Sequence, residues 1–174
     1  MTEYTVQQVD WAGHYETLLA IRFAVFVREQ GVPPALEHDE YDATALHLLA
    51  TDRDGKPVGT ARMLNNGHIG RMAVVSIWRG RGVGSRLLEA LLHIASERGY
   101  RRIFLHAQCS AEGFYRRHGF QPVGALEQVH AIDRPAAVQA GAQLVGRLVI
   151  TQPAHLVQRL DRHADLLRQL RGAL

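Results

Sequence analysis

Apolar side chains recur along this chain with two different periods, and the switches between them outline its elements. Tyr4 to Val9 alternates and predicts a first strand. Asp10 stands where a helix N-cap would. Behind it Tyr15, Leu18, Leu19, Ile21, Arg22, Val25 and Phe26 fall on the spacing of a helix face, which Gly31, Pro33 and Pro34 end. Residues 35–44 form an acidic loop containing Glu37, His38, Asp39, Glu40 and Asp42. Strands are predicted from Ala45 to Thr51 and from Val58 to Leu64, with Asp52 to Pro57 as the hairpin turn between them. Asn65-Asn66-Gly67 is the next turn, and His68 to Val75 the strand after it. Leu87, Leu88, Leu91, Leu92, Ile94 and Ala95 return to helical spacing up to Gly99. Arg101 to Ala107 predicts a strand, Ser110 to His118 a short helix capped by Ser110, and Gln121 to Val129 and Gln143 to Ile150 two more strands. From Pro153 to Leu174, Leu156, Leu160, Leu167, Leu170 and Leu174 line one side of an amphipathic helix. Hairpins mixed with strand–helix–strand crossovers predict an α/β (α+β) fold with a largely antiparallel sheet.

The most informative stretch joins the strand ending near Val75 to the helix ending at Gly99. Between them Arg79-Gly80-Arg81-Gly82-Val83-Gly84-Ser85 places a glycine at every second position. A glycine loop that opens a helix presents unpaired N–H groups and the positive helix end to an anion. Glycine lets the backbone approach without a Cβ in the way. Arg79 and Arg81 add charge and bidentate donors, so a pyrophosphate cradle is one reading. A plain strand-to-helix turn needing glycine for its dihedrals is the other. A nucleotide P-loop would need a lysine that this loop lacks, and a dinucleotide fingerprint would need glycine where Ser85 stands.

What remains, Arg79-x-x-Gly82-x-Gly84, resembles the Gln/Arg-x-x-Gly-x-Gly/Ala motif of the GNAT superfamily of acyl-CoA-dependent N-acyltransferases. The resemblance implies a GNAT-like mixed sheet flanked by helices, its strands four and five splayed around the coenzyme's arm. It implies that loop residues 79–85 hold the pyrophosphate of acetyl-CoA and that Met72, Ala73 and Val74 hydrogen-bond the pantetheine arm. Phe114-Tyr115 followed by Gly119-Phe120 is similar to a segment near the cofactor in that family, which implies that Tyr115 serves the departing thiolate. A phenol of pKa about 10 can donate to a developing thiolate or hydrogen-bond it in place. Arg22-x-x-Val25-Phe26-x-x-Glu29-Gln30, Asp39 to Asp42 with His47, and His106-Ala107-Gln108 resemble the ElaA-like branch. Residues 124–142 depart from that branch's pattern.

Amine acylation needs a neutral amine, a polarised thioester carbonyl and a stabilised leaving group. The Val74 N–H is the candidate for polarising the carbonyl. Glu37, Glu40, His68 and His106 are the candidate bases. The acidic loop at 37–42 would also attract a cationic amine. The acceptor is expected to be a primary amine of a small molecule or peptide, attacking directly in a ternary complex. The rival reading is a non-catalytic acyl-CoA-binding or sensor module.

Composition narrows the classes. The 174 residues fit one domain, read as a catalytic unit over 1–150 with a helical appendage over 151–174. A net charge of +3 suits an anionic cofactor without demanding nucleic acid, and the C-terminal arginines lack interleaved aromatics. The single cysteine, Cys109, precludes an internal disulfide and fits a cytoplasmic, reducing compartment. Residues 1–10 do not read as a signal peptide, and no apolar run is long enough for a membrane span. The ten histidines show no tight ligand spacing, so no metal is expected. The C-terminal leucine stripe either packs on the domain or makes a homodimer contact.

Overall fold

The computed structural model describes residues 3–123 and 145–151. Seven strands form one sheet: β1 (Tyr4–Val9), β2 (Leu46–Asp52), β3 (Pro57–Met63), β4 (His68–Val74), β5 (Arg102–Gln108), β6 (Gln121–Pro122) and β7 (Val145–Thr151). Their order across the sheet is β1-β2-β3-β4-β5-β7-β6, and only β4 and β5 run parallel. Helix α1 (Trp11–Arg22) follows β1, α2 (Val83–Glu97) crosses from β4 to β5, and α3 (Glu112–Arg117) follows β5. This is the mixed, mostly antiparallel architecture expected from the sequence. The predicted C-terminal helix, the strand beyond Val123 and the start of the last strand lie outside the described residues.

The sheet has two buried faces. On one, Leu87, Leu88, Leu91 and Leu92 of α2 meet Leu48, Met63, Ile69, Ile103 and Leu105. On the other, Leu18 and Ile21 of α1, with Val25, cover Leu49 and Ala73. Leu46 to Ala50 are all buried because β2 lies inside the sheet with both faces covered.

Three local readings change. Asp10 does cap α1, accepting from the Gly13 N–H at 2.6 Å, but the α-helix stops at Arg22 and Phe23–Glu29 continue as a π-helix. Its β-branched and aromatic run crowds a tight α-turn, and such wide turns cluster at functional sites. Ser110 does not cap a helix. It lies in a 3₁₀ turn, Cys109–Ala111, and α3 starts at Glu112 with no side-chain cap. The acidic loop is not a solvated arc. It folds into two 3₁₀ turns, Pro34–Leu36 and Glu40–Thr44, the second with a capping box between Asp39 and Asp42.

Candidate active site

The site begins where β4 leaves β5. The parallel pairing between them covers only His68 with Phe104 and Ile69 with Leu105. Between Gly70, opposite Arg62, and Ala73, opposite Thr60, β4 carries two residues where β3 carries one. This is a β-bulge, and Arg71 sits in it at φ 50°. The extra residue shifts the alternation: Ile69 faces α2, whereas Ala73 faces α1 and Met72 and Val74 face α2. Beyond the bulge the strands diverge. The Val75 N–H bonds the Val58 carbonyl at 3.0 Å, on the β3 side. Antiparallel alternation therefore turns the Val74 N–H the other way, into the gap that β5 leaves. The Val74 carbonyl accepts from Arg79 Nε at 2.9 Å.

The glycine loop lies at the end of this strand. Gly82 caps α2 with φ 83°, a left-handed conformation that glycine adopts without strain, and no side chain caps the helix. The first-turn N–H groups of Val83, Gly84 and Ser85 are therefore orphan donors at a positive helix end. The Val83 side chain is buried beneath them. Gly84 is different: a Cβ there would meet Phe114 Cζ at 3.6 Å and Val74 Cγ2 at 3.9 Å, ordinary contacts. The fold does not require glycine at 84. Arg79 is a strut as well as a charge, because its Nη2 donates to Glu29 at 2.7 Å while its Nε holds Val74. Arg81 lies over the Trp78 ring and pairs with Glu3 at 3.3 Å. Gly80, at φ 74°, is exposed beside them.

Tyr115 approaches β4 from α3. Its hydroxyl donates to Met72 Sδ at 3.7 Å, and its ring packs edge-on against Phe114 and Phe120. Burial in these apolar surroundings pushes the phenol up to about 12, so it stays protonated across the working pH range.

On the α1 side of the divergence lies a pocket of about 550 Å³. Its walls include Phe26 and Gln30, Glu37 and Asp39, Arg62 and Arg71, and His68 and His106. His106 Nδ1 and His68 Nε2 approach to 3.3 Å, and His68 stacks on Phe104. Two of the candidate bases thus meet at one wall. The other two separate. Glu40 is exposed and lies outside the pocket lining. Glu37 is buried and salt-bridged to Arg22 through Oε1, while its main-chain carbonyl takes Arg22 Nη2 at 2.7 Å. Asp42 accepts from Arg22 at 2.8 and 3.1 Å and from Arg62 at 2.7 Å. Desolvation pushes the Asp42 pKa up, but the hydrogen bonds and charges of the two arginines outweigh it and hold the group at about 2. Asp39 grips Arg62 at 2.6 and 3.0 Å. The expected field for a cationic amine is accordingly cancelled by Arg22, Arg62 and Arg71. The sequence reading gave no role to Arg62 or Arg71. A charged residue inside the apolar run from Val58 to Leu64 was the available sign.

With this geometry in place, the comparisons are specific. Residues 2–133 match the family model described as Acetyltransferase (GNAT) domain. The uncharacterized N-acetyltransferase YjcF of Bacillus subtilis is 34% identical over 114 residues, 64% of this chain and 81% of that protein. The crystal structure of Escherichia coli ElaA aligns at a TM-score of 0.68 with 26% identity, covering 83% of this chain and 98% of that one. An acyl-CoA N-acyltransferase from Pseudomonas aeruginosa aligns at 0.67, also with 26% identity, covering 84% and 98%. The divergent β4–β5 pair, the uncapped glycine-led helix and the matched family model place the chain in one group: it belongs to the GNAT acetyltransferase family.

Proposed function

We propose that this chain transfers an acetyl group from acetyl-CoA to a primary amine of a small molecule or peptide, by direct attack within a ternary complex. The observation that carries this reading is the alternation that turns the Val74 N–H away from β3, on the side where the pairing of β4 with β5 has ended. In this reading the loop from Arg79 to Ser85, with the N–H groups of Gly80, Gly82, Val83 and Gly84, receives the pyrophosphate. Arg79 and Arg81 set the loop and screen the charge. Met72, Ala73 and Val74 line the coenzyme's arm. Gly84 supports this assignment, since close approach of a ligand explains a glycine that the fold itself does not need.

The chemistry follows from the atoms present. The amine nitrogen attacks the thioester carbonyl carbon, whose oxygen takes the Val74 N–H. The carbon–sulfur bond breaks, and the sulfur takes a hydrogen bond or proton from Tyr115. The amine's proton passes to the His68–His106 pair, imidazoles being suited to accept a proton near neutrality. Glu37 is held as a counter-ion to Arg22. Holding both reactants in one cleft supplies a large part of the acceleration.

The test is calorimetric titration with acetyl-CoA, with ATP and NAD as controls, followed by acceptor-dependent thiol release. Selective binding and release support the enzyme. Binding without release from any amine makes the chain a sensor. Absence of binding by the folded protein refutes the reading.

A further inference from the structure

We propose that the acceptor carries a carboxylate as well as its amine, and that Arg71, backed by Arg62, receives it. This deepens the acyltransferase reading and rests on it. Both arginines line the pocket beside the His68–His106 pair. The side chain of Arg62 is 6% exposed and that of Arg71 28%, and the Nε of each is buried without a hydrogen-bond partner among the described residues. A buried guanidinium N–H is costly to leave unmade, and a planar carboxylate is its natural complement.

The surrounding charges favour Arg71 as the anchor. Arg22, Arg62 and Arg71 face Glu37, Asp39 and Asp42. The count balances but the distances do not. Arg22 takes Glu37 and Asp42, and Arg62 takes Asp39 and Asp42 at 2.6 to 3.0 Å. Among the described residues Arg71 reaches only the same Asp39 oxygen and the Leu36 carbonyl, each at 3.2 Å. It is the least compensated cation of the group. Burial, and then the like charges of Arg62 and Arg22, push its pKa below the ordinary arginine value. An entering anion relieves that repulsion.

The backbone points the same way. Arg71 holds φ 50° in the bulge, a conformation costly to a long side chain and free to glycine. The bulge puts Gly70 and Arg71 together on the pocket wall. Gly70 leaves open space there, with no atom of the described residues within 4 Å of where a Cβ would stand. The pocket's size suits an amino acid or a short peptide presenting a free carboxylate.

The experiment uses the full chain with acetyl-CoA and a panel of amino acids, each beside its carboxamide and its decarboxylated amine. Thiol release is followed. The expected kcat/KM is at least about tenfold higher for the free acids, as loss of one buried charge-assisted pair would give. In Arg71→Gln and Arg71→Gly that preference falls to parity, while the affinity for acetyl-CoA is unchanged. Arg71→Gly relieves the backbone, so it keeps the test open if Arg71→Gln folds poorly. Equal rates across each set, a preference for the uncharged members, or a preference that survives both variants overturns the proposal alone. Failure to bind acetyl-CoA refutes the acyltransferase reading, and the proposal falls with it.

Discussion

Replacing Asp42 by Asn keeps the shape of the side chain and removes the negative charge that Arg22 and Arg62 share. The folded pKa of about 2, against the ordinary 3.8, makes ionised Asp42 worth about 2.5 kcal/mol to the folded state at neutral pH. Breaking a buried ion pair from one side typically costs about 3–5 kcal/mol. A loss of about 3 kcal/mol is therefore expected, which lowers the urea midpoint by about 1.5 M at a slope near 2 kcal/mol per M. The pH dependence identifies the cause. A depressed carboxylate pKa gives stability that is complete above the unfolded value and is lost as pH falls through the folded one. The wild type should thus lose its advantage over Asp42→Asn on acidification, the gap narrowing by about 1 kcal/mol near pH 3. Urea melts of both chains at several pH values are the assay. A gap below about 1 kcal/mol at neutral pH, or one that stays constant on acidification, refutes the electrostatic account.

Four other outcomes are expected. Gly84→Ala should leave the fold intact or raise its stability by up to about 1 kcal/mol, since alanine is the better helix former, while acetyl-CoA affinity falls in calorimetry. Gly82→Glu should abolish that binding, because it strains φ 83° and puts a like charge at the cradle. Tyr115→Phe should lower kcat roughly ten- to hundredfold with KM for acetyl-CoA little changed; an unchanged kcat removes the residue from the mechanism. Gly67→Ala should cost about 2 kcal/mol or more in a thermal melt, since its Cβ would stand 2.6 Å from the Arg102 carbonyl at φ 84°.

Much of the fold is legible in the sequence. Strand β1 and the start of α1 follow from alternation and the Asp10 cap, and α2 from its leucines and Gly99. The turn chemistry at Asp52–Pro57 and at Asn65–Gly67 fixed the antiparallel hairpins. The glycine loop was legible as the start of α2 because local sequence determines a helix N-terminus. The acidic loop misled for the opposite reason. Glu37, Asp39 and Asp42 look solvated in isolation, and their partners Arg22, Arg62 and Arg71 lie 15 to 32 residues away. Charge pairing across a fold leaves no periodicity. His68 and His106 are likewise 38 apart, and only the parallel β4–β5 step brings them together.

The bulge at Arg71 ties these observations into one device. A regular β4 would keep Ile69, Arg71 and Ala73 on one face, driving a guanidinium into the α2 core. The added residue sends Ile69 into that core and leaves Arg71 on the pocket wall. It also ends the pairing with β5 after Ile69, which opens the slot that the Val74 N–H faces. In the proposed reaction, the gap for the donor's arm and the cation for the acceptor then depend on a single insertion in one strand. Deleting Arg71 outright should accordingly do what no substitution there does. It should restore β4 alternation, extend the β4–β5 ladder and abolish acetyl-CoA binding, whereas Arg71→Gly keeps the binding and loses only the acceptor preference. If the deletion still binds acetyl-CoA with native affinity, the slot is held open by something other than the bulge.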